Sequence, residues 1–553
     1  MYLLILLSML VKVFKYLTFI VLLCAFLPQL STAQNKKTKK KENDASGNFY
    51  DGNFDMALNQ YLKLFTKDKL NPDFNLKIGI CYLMTNIDKS LSVPYLEFVA
   101  MQNTAGNEIY YWLGQAYFHS LKFDKALDMY NKYKELDRDA IAKSPELKER
   151  LEKALSDLNN ARELVKRSLN VTFVNLGSNI NSIKADYHPF LSENEKTLFF
   201  TTNRKYISDF QEFTNDVYSS HITFWGKWAS ARPLSNKINT PDENEVITGM
   251  ARDGEMIFIK PDNYVAYNDV CVSKFFKGKY LELEKLDEIN INTKGHESGA
   301  TVSINKDTLY FVSDRPGGYG GLDIWMSLLL PNGTWGPPLN LGDGVNTSYN
   351  EDMPLLSSDG KTLYFCSEGH NSMGGYDIFY SKRNKAEDMW PKPKNFGYPI
   401  NNTYDNYQIY MSEKGRYGYM AAVRKEGLGD LDIYKVIFNQ EEAKTIVFTG
   451  KIAVGDSLRN KPLKEFDPDV SIIVKEKLAE DVFGKYVYNK KNGVFVIALP
   501  PGVYEIEVED PKKTYVPFKK TIEVFDEMCN EGVLNYNIWL KPANQTDPKK
   551  NKK

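Results

Sequence analysis

A chain of 553 residues is too long for one hydrophobic core and predicts two to four domains. Its 42% hydrophobic content suffices for packed cores, and its formal net charge of −1 excludes a nucleic-acid binder held by an overall basic surface. The 35 Tyr and 31 Phe favour strands, and the 35 Gly supply turns.

Residues 1–33 read as an export signal. Lys12 and Lys15 precede an apolar run from Tyr16 to Leu27, and Ser31-Thr32-Ala33 places small residues before a cut at Gln34. The alternative is retention as an anchor. Leu23 stands where a lipoprotein signal needs a small residue, which argues against acylation of Cys24. Residues 34–44 form a charged linker. The cysteines left after cleavage, Cys81, Cys271, Cys366 and Cys529, are far apart and predict no disulfide framework. The expectation is an exported protein in the periplasm, associated with the outer membrane.

From 45 to 166 the apolar period is helical. Gly114, Tyr117, Phe123, Ala126 and Tyr130 alternate small and large residues as paired helices require. Gly79 and Tyr82 repeat the pattern 35 residues earlier, and Gly52, Phe54, Ala57 and Tyr61 repeat it again. This resembles a tetratricopeptide-repeat array, closed by a long charged helix over 143–165. The resemblance implies a groove for a protein segment, or a rigid spacer. Tyr110, Tyr111 and Trp112 are the candidate partner contacts, with core packing of Trp112 as the competing reading.

Between 168 and 438 a unit recurs five times: an apolar strand after a turn, a loop, then Asp followed by apolar residues. The aspartates are Asp216, Asp269, Asp323, Asp377 and Asp432, spaced by 53, 54, 54 and 55 residues. A period of that length predicts four-stranded sheets in a ring, five-bladed with six blades as the alternative. The strand near Val171–Val174 is expected to complete the last blade and close the ring. SSDGKTLYF (357–365) and GGYDIFY (374–380) resemble the WD-like propeller repeats of the TolB type. The repeated aspartates are expected to cap turns; a cation-binding ring is the competing reading, disfavoured because one carboxylate per turn supplies too few ligands. The first two units lack the Gly-Gly before Asp, so their loops are expected to differ. Cys271 occupies a packing position.

Residues 445–541 alternate with period two and predict a small β-sandwich, with Pro500-Pro501-Gly502 turning between two strands. Gly450-Lys451, Pro462-Leu463, Gly493-Val494-Phe495 and Pro501-Gly502-Val503-Tyr504 resemble the transthyretin-like domain that regulates carboxypeptidases. Residues 542–553 form a charged tail with nothing to bury.

No catalytic, metal or cofactor site is expected. The histidines His119, His188, His221, His296 and His370 form no zinc motif, and no nucleophile elbow or phosphate loop occurs. Ser358-Asp359-Gly360-Lys361 matches a nucleophile motif only formally, since it opens a strand. Carboxylate pairs such as Glu351-Asp352 and Asp242-Glu243 are expected on solvated loops.

The order of parts resembles the PorE-like envelope proteins of Bacteroidetes, in which an OmpA-like peptidoglycan-binding domain follows. No such domain is expected here, and attachment is expected through a partner. The resemblance implies a non-enzymatic scaffold that binds protein partners of an envelope machine, for type IX secretion, gliding or outer-membrane assembly. The alternative is a propeller receptor for a glycan or peptide.

Overall fold

The computed structural model describes residues 39 and 41–543, apart from 103–104, 209–211, 242, 263–267, 288, 384–388, 414, 440–444, 456–469, 478–481, 526–527 and 529–532. The expected export signal, most of the linker, Cys24, Cys529, Asp242, Pro462-Leu463 and nearly all of the tail lie outside these residues. The chain forms two compact units. One comprises the chain to Ile222 and Trp228–Phe438, and the other Thr223–Lys227 with the residues from Asn439 onward. Among the described residues no helix is long and apolar enough to cross a membrane.

The first unit begins with helices: α1 (41–50), α2 (Phe54–Phe65), α3 (Pro72–Met84), α4 (Val93–Gln102), α5 (Glu108–His119), α6 (Phe123–Leu136), α7 (Arg138–Lys143) and α8 (Pro145–Lys166). Asn71 caps α3 by accepting from the Asp73 and Phe74 amides, and Ser144 caps α8 by accepting from Leu147 N–H. Pro72 and Pro145 follow at positions where no amide is needed. Consecutive helices pair through a small residue facing a large one. A Cβ on Gly79 of α3 would stand 2.5 Å from the Leu96 side chain of α4, and one on Gly114 of α5 would stand 2.5 Å from the Tyr130 ring of α6.

Five antiparallel sheets follow. The first holds Asp186–Leu191, Thr197–Ile207, Glu212–His221 and Arg232–Pro233. The second holds Asn244–Met250, Met256–Asp262, Cys271–Phe276 and Glu284–Lys285, with Lys279–Tyr280 added on Cys271–Phe276. The third is Glu297–Val302, Thr308–Ser313, Asp323–Leu328 and Leu339–Asn340; the fourth is Glu351–Leu356, Thr362–Ser367, Asp377–Lys382 and Lys394–Asn395. The fifth takes Ile409–Met411, Tyr417–Ala422 and Asp432–Phe438, and its outer strand is Val171–Asn175 from the start of the region. Val171 pairs with Phe438 and Asn175 with Tyr434, so the two ends of the region share one sheet. Apolar clusters run from sheet to sheet, and Ile378 of the fourth sheet packs with Ile409 and Met420 of the fifth. The fold is of the β-propeller type.

One side-chain interaction recurs in every sheet. Asn181, Asn239, Asn292, Asn346 and Asn401 each follow Ile or Val in the segment before a sheet's first strand. Each accepts from one backbone N–H and donates to the same residue's C=O: Ile433, Val217, Val270, Ile324 and Ile378 respectively. The clamped residue is always the one after the repeated Asp. The outer strand's pairing ends before that residue, so the amide acts as its missing strand neighbour. Each clamp ties a sheet to the segment that begins the next one, and Asn181 ties the last sheet to the first.

The helices and the sheets, read from the sequence as two domains, pack as one unit. Asn160 of α8 donates to Ser372 C=O at 2.8 Å, and Lys153 reaches Gly374 C=O at 3.4 Å. Lys89 N–H donates to Tyr404 Oη at 2.9 Å, and Met373, fully buried, joins the helical core.

The second unit packs two sheets about one core. In the first sheet, Ile446–Val454 pairs antiparallel with Val494–Leu499 and parallel with Val533–Asn535 and Ile538–Leu540. The other runs Val482–Tyr486, Ser471–Glu476, Gly502–Glu509, Lys519–Val524. Pro500-Pro501-Gly502 therefore carries the chain between sheets and does not close a hairpin. Two prolines cannot donate to a ladder, which suits a crossing.

Asn346→Ala should cost about 2–4 kcal/mol, because it strands a buried N–H and C=O at Ile324. Asn332→Ala, in an exposed turn, should cost no more than about 0.5 kcal/mol. Urea unfolding of both variants, followed by tryptophan fluorescence, checks the contrast.

Candidate functional site

Each sheet begins at the ring axis, and these first strands are irregular. Pairing shifts register between Tyr187 and Phe190, Ile247 and Gly249, Glu297 and Ala300, and Asp352 and Leu355. Such bulges turn a side chain out of its strand, and they recur at binding sites. His188 and Met353, at equivalent bulges, have φ of 51° and 52°.

Together the first strands line a funnel of about 800 Å³. Its wall takes Tyr187 and His188 from the first sheet, Thr248 and Lys260 from the second, His296 and Ser298 from the third, Asp352 from the fourth, and Tyr407 and Gln408 from the fifth. Asn203, Asn215, Asn244 and Asn268 add amides, and Asn86, from the helices, also borders it.

The wall has aromatic, acceptor and charged sectors. Tyr407 stands 5.1 Å from the Tyr376 ring and 6.1 Å from His188, and His188 meets Tyr187 edge-on at 4.7 Å. His188 Nδ1 lies 3.2 Å from Ile247 C=O, so the proton sits on Nδ1. Burial lowers its pKa to about 4, which keeps the ring neutral with Nε2 as an acceptor. Gln408 donates to Pro189 C=O, which leaves Oε1 unpaired, and Thr248 Oγ1 is also unpaired. Both atoms are sealed from solvent, so among the described residues each is a buried polar group without a hydrogen bond, at a cost in stability. Lys260 Nζ meets His296 Nε2 at 2.5 Å; desolvation lowers the pKa of both groups, and each raises the neighbouring acid's tendency to ionise. Asp352 accepts from Ser298 Oγ at 2.8 Å and from Met353 N–H, and burial raises its pKa nonetheless.

Behind the wall lies a second tier of acids: Asp186, Glu245, Glu297 and Glu351, all fully buried, with Asn406 in the equivalent place of the fifth sheet. Glu351 accepts from Thr347 N–H, Thr347 Oγ1 and Ser367 Oγ. Glu297 has the same hydroxyl partners and gains Arg315; Asp186 gains Arg204. The expected solvated-loop placement of Glu351-Asp352 is therefore corrected. Glu351 opens a strand and is sealed under the funnel, and Asp352 faces into it.

The repeated aspartates sit apart from the funnel floor, at the foot of the third strands. Asp323 accepts from the Tyr319 and Gly320 amides and from Asn340; Asp377 accepts from Met373 N–H and Asn395; Asp432 accepts from Leu428 N–H and Asn175. Asp216 and Asp269, whose loops lack the Gly-Gly, instead meet Lys205 at 3.6 Å and Lys285 at 2.7 Å. Among the described residues no three His, Cys, Asp or Glu side chains are placed to hold a metal ion.

Tyr111 is buried against Tyr130 and Tyr133, with the Arg150 guanidinium 4.2 Å from its ring. Tyr110 is half-buried beneath Lys132, and Trp112 is half-buried in the helical cluster. The three do not form one surface. The funnel residues were not singled out from the sequence, although the acid opening each first strand and the preceding Asn were visible repeats.

No family model matches the chain, and no curated protein matches it. Among solved structures it is similar to the periplasmic gluconolactonase of Pseudomonas aeruginosa, at 11% identity over 62% of this chain and 86% of that one, with a TM-score of 0.25. It is also similar to an endo-arabinase from Bacteroides thetaiotaomicron (12% identity, 49% of this chain, 99% of that one, TM-score 0.30). A third is a Penicillium chrysogenum α-L-arabinanase complexed with arabinobiose (11%, 49% and 99%, TM-score 0.31). These likenesses concern the fold. The expectation that the chain is not an enzyme is corrected by them, because the proteins that share its fold include enzymes.

The buried acids set a pH dependence. Burial raises Glu245 and Glu351 from 4.5 to about 7 and Asp377 from 3.8 to about 8. In that window the folded state holds more protons than the unfolded state, so stability falls as pH rises. The first unit should lose stability from about pH 5 to about pH 8, on the order of 3 kcal/mol for Glu351 alone. Glu351→Gln should flatten the fall, as read by urea midpoints across that range.

Proposed function

We propose that the funnel of the first unit is a receptor site for a glycan. The observation that carries this reading is a cavity of about 800 Å³ to which all five sheets contribute, walled by the aromatic rings of Tyr187, His188 and Tyr407 beside asparagine amides and aspartates. Sugars pair an apolar ring face with a belt of hydroxyls. Tyr407, braced by Tyr376 and His188, offers the stacking surface, and the amides and acceptors around it match the belt. We read the five sheets as the five blades of a propeller, the helical pairs as a tetratricopeptide-type array, and the second unit as a transthyretin-like sandwich.

A second reading concerns context. We propose an exported, PorE-like envelope protein in the periplasm whose helical pairs contact protein partners of an outer-membrane machine. The small-against-large contacts at Gly79 and Gly114 favour such an array.

Tyr407→Ala should weaken glycan binding at least about tenfold, with the urea midpoint unchanged within error. Calorimetric titration of the wild-type chain and the variant against the same oligosaccharides checks this. Equal affinity for both chains would remove the funnel from the reading.

A further inference from the structure

We infer that the glycan taken by the funnel bears free amines, as in a glucosamine oligosaccharide, and is not acidic; this rests on the funnel being a glycan site. The floor is built of acceptors. Neutral His188 has its Nδ1–H committed to Ile247 C=O, which leaves Nε2 as an acceptor, and aspartates and asparagine amides border the same space. A ligand must bring donors to such a floor, and a uronate's carboxylate brings none.

Charge points the same way. Among the described residues three carboxylates line the funnel: Asp262, Asp352 and Asp405. None has a cation within ion-pair distance among the described residues. Asp352 uses Oδ1 for Ser298 and Met353, and Asp405 uses Oδ1 for Tyr376 N–H, so each keeps a second oxygen without a protein partner. The wall's lysine, Lys260, is turned to His296 Nε2. Its charge offsets one carboxylate and leaves an excess of negative charge in a partly desolvated space. An ammonium group entering there gains a charge-assisted hydrogen bond, and an acidic sugar meets repulsion.

The test is a calorimetric titration of the full chain with four trisaccharides: glucosamine, N-acetylglucosamine, glucose and galacturonate. The glucosamine trimer should bind at least about tenfold more tightly than its N-acetylated counterpart, and the galacturonate trimer should bind least. Asp352→Asn keeps an acceptor for Ser298 and should shrink the preference for the glucosamine trimer over its N-acetylated counterpart. Its urea midpoint serves as the folding control. Equal binding of the glucosamine and N-acetylglucosamine trimers, or tightest binding of galacturonate, would overturn the inference and leave the glycan site standing. No binding by any of the four would overturn both.

Discussion

The first unit depends on one two-way hydrogen bond, the asparagine clamp. The outer neighbour of each third strand stops short of the residue after the repeated Asp, which would leave that residue's N–H and C=O bare. The carboxamide supplies a donor and an acceptor at the spacing of a peptide group, so it substitutes for a strand where none exists. Because the asparagine lies in the lead of the next sheet, satisfying the backbone also fixes how successive sheets follow one another. Asn340 and Asn395 extend this by holding the clamp asparagines Asn346 and Asn401 from behind.

The acids that open the first strands connect architecture to the funnel. Each orders its own lead turn by accepting from the Thr or Ser beside the clamp. Where an arginine is available, as for Asp186 and Glu297, the charge is matched. Glu245 and Glu351 rely on hydroxyls and amides alone, and burial then favours their protonated forms. The bulges that follow these acids push His188, Ser298 and Asp352 toward the axis. The same strand start thus anchors a sheet and delivers a functional side chain.

The ring was legible because its period is long and its aspartates are evenly spaced, and the closing strand followed from a missing outer strand in the last repeat. The helical pairs were legible through Gly79 and Gly114, where helix contact demands the absence of a Cβ. The departure of the first two repeats was also legible, and its physical form is a lysine partner for Asp216 and Asp269 in place of a glycine-rich turn. The funnel was not legible. His188, Lys260, His296, Asp352 and Tyr407 come from five repeats, three of them from strands and His296 and Tyr407 from the segments just before one, and no local spacing joins them. Glu351 was misplaced because an adjacent acid pair looks like solvated surface, whereas strand alternation sends its two members to opposite environments. In the candidate trio Tyr110-Tyr111-Trp112 the same rule applies on a helix, where neighbours in sequence point in different directions: Tyr111 is buried and its two neighbours are half-buried.

The shared sheet of Val171–Asn175 and Asp432–Phe438 has a consequence for biosynthesis. The ribosome delivers the opening strand long before its mate, and Asn175 waits for Asp432 across 257 residues. Throughout that interval the nascent chain carries an unmatched edge, while the helices ahead of it can already fold through local contacts. The first strand is thus a latch made early and fastened late, and the intervening repeats must be kept from foreign strands until the last one emerges.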